Sequence, residues 1–180
     1  MKPSLRLIRL ATLVIVALTL TGCVPMRVNS FLERGFDFTR YRTYDWAPDD
    51  ELVTGDPRVD NSPFFLDRLQ ADVDAQLAAR GLEKTTAATP ELLLHYHVRI
   101  DQRLDANNAD QKYGYCDNCE PYVYDAGTIL LDFVDARTRK LVWRGWAEGT
   151  MEGFIDNQDW MEERIDEAVT RILARLPRRS

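Results

Sequence analysis

The chain has 180 residues, 23 basic and 29 acidic, for a net charge of −6, with 45% apolar and 10% aromatic residues. That length suits one domain with a sizeable core. The acidic balance argues against nucleic acid or anionic lipid headgroups as partners, and solubility is reason enough for it. The N-terminus stands apart: Lys2, Arg6 and Arg9 precede an apolar segment from Leu10 to Leu20, and no acid occurs before Glu33. As a helix those 11 residues would be about 16 Å long, against a hydrocarbon core of about 30 Å. The segment is too short to span, and a basic stretch followed by a short apolar one is the order of an export signal.

The segment ends in Leu20-Thr21-Gly22-Cys23, which resembles a bacterial lipobox. The resemblance implies cleavage before Cys23, a diacylglyceryl group on its thiol and acylation of the new amine. Two or more acyl chains anchor a protein stably where one does not. A plain secretory signal with a chance cysteine is the alternative, but an A-x-A-like cleavage site is not evident. In enteric-type sorting an Asp after the cysteine retains a lipoprotein in the inner membrane; Val24 stands there, so the expectation is an outer-membrane, periplasm-facing lipoprotein. The expected division is a signal over 1–22, a lipidated tether over 23–29 and one domain over 30–177. Loss of the three basic residues of the signal leaves 20 basic and 29 acidic residues, net −9. Val24 to Asn29 reach roughly 20 Å at most, and no long Ser/Gly/Pro stalk follows.

In chain order, "FTRYRTYDWAP" (38–48) predicts a first strand, with Tyr41, Thr43 and Asp45 on one side and Arg42, Tyr44 and Trp46 on the other; a short strand near Val28 to Leu32 would precede it. Gly55-Asp56-Pro57 lies in an acidic loop. Ser62-Pro63 predicts an N-cap and first helical position, and Leu66, Leu69, Val73 and Leu77 recur at helical spacing up to Gly81. "PELLLHYHVRID" predicts a long strand whose core face carries Leu92, Leu94, Tyr96, Val98 and Ile100. After a polar stretch from Asp101 to Ala126, "GTILLDFVDARTRKLVWRGWAEG" predicts two strands around the turn Asp135 to Lys140. Asp156 or Asn157 then caps a helix with Met161, Ile165, Ala168, Val169, Ile172 and Leu176 on one stripe. The order β-α-β-β-β-α predicts an α+β fold, a two-layer mixed β-sheet with two amphipathic helices on one face.

Three stretches together, "DFTRYRTYDWAP", "PELLLHYHV" and "GTILLDFVDARTRKLVWRGWAEG", with the final helix and the lipobox, are similar to bacterial lipoproteins of the domain-of-unknown-function 4136 family. The most specific parts are Asp37 to Trp46 and Val142 to Gly145. The resemblance implies an α/β envelope lipoprotein and supplies no catalytic residues. Read from the residues, Tyr41, Tyr44, Trp46, Trp143 and Trp146 suit a sheet lined under helices, Gly145 suits a close backbone approach, and Arg144 suits pairing with an acid on the next strand. The functional alternative is that Arg144, Trp146 and Glu148, which share one strand face, line a groove for a peptide, a glycan or an envelope protein.

Cys116 and Cys119 form a C-x-x-C in "YGYCDNCEP". In an exported chain a local disulfide is the expected state, contributing about 2 kcal/mol for so small a loop. Redox catalysis would want the motif at a helix N-terminus, whereas Asp117 and Glu120 flank it here and raise the thiol pKa. His95 and His97, two apart on a strand face, would complete a Cys2His2 zinc site with the two cysteines, although oxidation would remove the thiolates. Among enzyme signatures, G-x-S-x-G, P-loop, G-x-G-x-x-G and H-E-x-x-H are missing from the sequence. "DANNAD" (Asp105 to Asp110) lacks the glycine and final Glu of a calcium loop. Asp132 and Asp135 lie by the hairpin, where solvation or turn capping accounts for them. The expectation is a non-catalytic binding or structural lipoprotein without cofactor beyond the lipid on Cys23; the alternative is a small zinc or redox module built on His95, His97, Cys116 and Cys119.

Overall fold

The computed structural model describes residues 26–48, 53–86, 89–104 and 123–177. Its strands are β1 (Met26–Leu32), β2 (Thr43–Trp46), β3 (Glu83–Lys84), β4 (Leu92–Leu104), β5 (Val123–Asp135) and β6 (Leu141–Thr150), and its helices α1 (Pro57–Asp60), α2 (Pro63–Ala78) and α3 (Gln158–Leu173). Among the described residues the strands form one six-stranded sheet in the order β1-β6-β5-β4-β2-β3. From β1 through β4 neighbouring strands are antiparallel, while β2 runs parallel to both β4 and β3. The sheet is therefore mixed, and α2 lies in the crossover between the adjacent parallel strands β2 and β4.

Alternation along β4 sets the two faces. Leu92, Leu94, Tyr96 and Val98 are buried, while His97 and Arg99, which alternate with them, are exposed, as a pleated strand with one covered face requires. Onto the covered face α2 brings Phe65, Leu69, Val73 and Leu77, and α3 brings Met161, Ile165, Val169 and Ile172, all in one core with Tyr44, Phe133 and Trp143. Both helices pack on that face and on each other, with Gln76 Nε2 donating to Thr170 Oγ1 at 3.2 Å. The opposite face carries no helix among the described residues. This is the two-layer α+β arrangement expected from the periodicities.

The differences lie at element ends and in two short added elements, the one-turn helix α1 inside the expected acidic loop, where Asp56 caps it and Pro57 starts it, and the two-residue strand β3. Residues 38–40 form a 3-10 turn capped by Asp37, whose Oδ1 accepts from Thr39 N at 3.0 Å and Thr39 Oγ1 at 2.6 Å, so the strand begins only at Thr43. The strand expected near Val28 to Leu32 is the full β1, and it takes in residues 26–29 of the expected tether. β4 and β5 continue to Leu104 and back from Val123, into the polar stretch from Asp101 to Ala126. Ser62 occupies the N-cap position of α2 without a side-chain bond, and Pro63 starts the helix; Asn157 caps α3 by accepting from Trp160 N at 3.0 Å. The β5–β6 hairpin turns where expected: Asp135 N donates to Lys140 O at 2.9 Å, and Asp135 Oδ1 accepts from Thr138 N at 2.6 Å. No described helix is long and apolar enough to cross a membrane.

Candidate functional site

On the helix-free face, three rows of side chains cross β1, β6, β5 and β4. The register aligns Phe31, Arg144, Asp132 and His95; then Asn29, Trp146, Leu130 and His97; then Arg27, Glu148, Thr128 and Arg99. Arg144, Trp146 and Glu148 thus share a face as expected, and Trp146 parts from Trp143, which is fully buried on the helix side. Asp132 is not a solvated hairpin carboxylate. It is 5% exposed in mid-strand, where Arg144 grips it with two bonds, Nε to Oδ1 at 2.7 Å and Nη2 to Oδ2 at 2.5 Å. That pairing pushes the Arg144 guanidinium pKa up. Glu148 pairs with Arg103 and Arg99 with Asp101 at 2.8 Å.

With these charges paired off, the centre of the face is Trp146 beside Leu130, both partly exposed, and its β1 margin is Phe31 at 46% exposure. An indole between fixed ion pairs offers a flat apolar surface for stacking, edged by groups already held in place. The arrangement suits binding. Sequence reasoning missed Asn29, Phe31, Leu130 and Arg103; the alternation of Arg27, Asn29 and Phe31 in "MRVNSFL" was the available signal for β1. Among the described residues no group of three or more His, Cys, Asp or Glu is gathered to hold a metal ion. His95 and His97 lie on the helix-free face, while Cys116 and Cys119, the loop Asp105 to Asp110 and Cys23 are outside the described residues.

The longer sequence signature proves to be scaffold. Asp37 caps the 3-10 turn, and this bonding to Thr39 holds its carboxyl below the usual carboxylate range. Tyr41 donates its hydroxyl to Asp135 Oδ2 at 2.6 Å; burial first and then this bond raise the phenol to about 12. Thr43 N donates to Glu91 Oε2 at 3.1 Å, and Glu91 N donates back to Thr43 Oγ1 at 3.2 Å. Tyr44 Oη and Trp46 Nε1 both donate to Asp74 Oδ1 on α2, at 2.7 and 3.0 Å. Burial, followed by Asp74, drives the Tyr44 phenol well above its ordinary range. In the second signature, Trp143 fills the core, and a Cβ on Gly145 would come within 2.2 Å of Trp143 Cη2 and 2.7 Å of Ile172 Cγ2.

The family model of a domain of unknown function, DUF4136, matches residues 28–178. The chain belongs to the DUF4136 family. No curated protein matches it. Solved structures resemble this DUF4136 chain at low identity, and the first two share its fold. A PelC dodecamer from Paraburkholderia phytofirmans has TM-score 0.52 and 10% identity over 87% of this chain and 100% of that one. A PDZ domain protein from Parabacteroides distasonis has TM-score 0.56 and 14% identity, covering 91% of this chain and 39% of that longer one. A DUF4136 family protein from Bacteroides thetaiotaomicron has TM-score 0.47 and 12% identity, over 81% and 94% of the two chains.

Proposed function

We propose that this DUF4136 chain is an envelope lipoprotein, held to the outer membrane through acylated Cys23 and facing the periplasm, with a non-catalytic binding role on its helix-free sheet face. The supporting observation is the start of β1. Met26 opens the strand three residues after the lipobox cysteine, so the folded body sits within roughly 10 Å of the acylated sulfur. The anchored strand is also the margin of the binding face, contributing Asn29 and Phe31 beside Trp146 and Arg144. A ligand on this face is therefore bound close to the bilayer, and the binder has no reach across the periplasm. Its partner is a peptide, a glycan or another envelope protein with a flat apolar surface for Trp146 and polar groups for the flanking pairs. The Cys116–Cys119 disulfide belongs to the same reading, as the state of such a pair in an oxidising compartment.

A photo-crosslinking phenylalanine analogue at position 146, compared in intact cells with one at the exposed Glu163 of α3, tests the binding face. The reading predicts discrete adducts from position 146 and none from 163. Equal adducts from both positions, or none from 146, would count against it.

A further inference from the structure

A second feature lies on the other side of the sheet. Between the row Met26, Gly149, Gly127 and helix α3 lies a small pocket that encloses about 40 Å³ and opens to solvent, with Phe65, Val98, Met151 and Phe154 among its walls. Two glycines facing one another in the β5–β6 register make room for two of its wall side chains, Met151 and Arg164. A Cβ on Gly127 would lie 2.3 Å from Met151 Sδ, and one on Gly149 would lie 2.6 Å from Arg164 Nη2.

Arg164 is the charged residue of this lining. Its side chain is only 6% exposed, which is costly for a cation unless its charge is met. Nη1 reaches Glu167 Oε2 at 2.5 Å, but the other oxygen of Glu167 accepts from Arg171 Nη1 at 2.8 Å. Among the described residues that one carboxylate serves two guanidiniums, of which Arg171 is 43% exposed to water and Arg164 only 6%. The guanidinium also sits over the Trp160 ring, 5.7 Å from its centroid, which orients it, while Nη2 lies against Gly149 at the cavity wall.

We infer that this cavity is a binding site for a small amphipathic monoanion, the carboxylate of a short aliphatic or aromatic acid. The carboxylate accepts from Arg164 Nη2, and the tail lies against Met26, Phe65 and Phe154. One guanidinium, already shared with Glu167, suits a monoanion better than a doubly charged phosphate. Walls so apolar disfavour a sugar, whose hydroxyls would lose water without partners.

Methionine methyl NMR of the full chain, titrated with hexanoate and separately with hexanol, tests the site. Met26 and Met151 line the cavity and Met161, in the core nearby, does not. Expected are saturable shifts of Met26 and Met151 with Met161 unmoved, hexanol binding at least about tenfold more weakly than hexanoate, and a similar loss of hexanoate affinity in Arg164→Met, as for one charge-assisted hydrogen bond. Should that variant not fold, the hexanoate-to-hexanol ratio in the unmodified chain decides alone. Equal affinity for the acid and the alcohol, shifts that include Met161 alike, or no saturable shift would each overturn the assignment.

Discussion

Tyr41 links the start of the sheet to the far hairpin turn, and its bond to Asp135 gives a titration behaviour of opposite sign at the two ends of the pH scale. The phenol is raised from 10.0 to about 12, so the folded chain keeps a proton that the unfolded chain gives up. That contribution is whole below pH 10.0 and is lost as pH climbs towards about 12. The Asp135 carboxyl is held below 3.8, first by the bond from Tyr41, so its contribution is present above 3.8 and is lost as pH falls through the folded value. Tyr41→Phe should cost about 1 kcal/mol in urea unfolding at neutral pH, and the fall in stability between pH 10 and 12 should be shallower than in the parent. Arg144→Met leaves the buried Asp132 without its two bonds and should cost about 2 kcal/mol, at the lower end of a broken buried pair because Arg144 is half exposed; Asp132→Asn added to it should recover part of the loss. Gly145→Ala forces a Cβ against Trp143 and Ile172 and should cost about 3 kcal/mol, read as a lowered thermal midpoint. Sequence alone placed Gly145 at a close approach and Arg144 beside an acid. It took Asp132 for a solvated or turn-capping hairpin residue, because a buried carboxylate and a solvated one look alike until the cross-strand register pairs them.

At the scale of elements, the helices and β4 were legible because an apolar stripe at period 3.6 or 2 survives any detail of packing. Phe65 escaped the stripe read for α2, although it precedes Leu69 by four residues and is buried with it. The ends of elements follow local hydrogen bonds more than hydrophobicity. Asp37 and Thr39 bond each other and hold the chain in a 3-10 turn where β-favouring residue types predicted strand. β4 and β5 extend through Arg103 opposite Tyr124, a pairing that polar composition conceals, and the two residues of β3 are too few to leave a pattern. Two capping residues that look alike in sequence should behave differently. Asn157→Ala removes a side-chain cap and should cost about 1 kcal/mol, while Ser62→Ala, where no side-chain bond exists, should leave the unfolding midpoint unchanged in the same denaturant titration.

For the whole molecule, the sheet has one face sealed by α2 and α3 and, among the described residues, one left to Trp146 and its paired charges, and the strand that frames this second face is the one nearest the lipobox. The placing of Arg144, Trp146 and Glu148 together was readable from alternation; their neighbours Asn29, Phe31 and Leu130 come from two other strands, and only the register brings them in. If attachment at Cys23 orients that face along the bilayer, position in the cell and binding are one property of the chain. Labelled palmitate fed to bacterial cells making the full chain or its Cys23→Ala variant measures this directly. The account predicts label on the parent polypeptide in the membrane fraction, and an unlabelled variant that is either released or retained with its signal uncut. Parent protein unlabelled and free in the soluble fraction would contradict it.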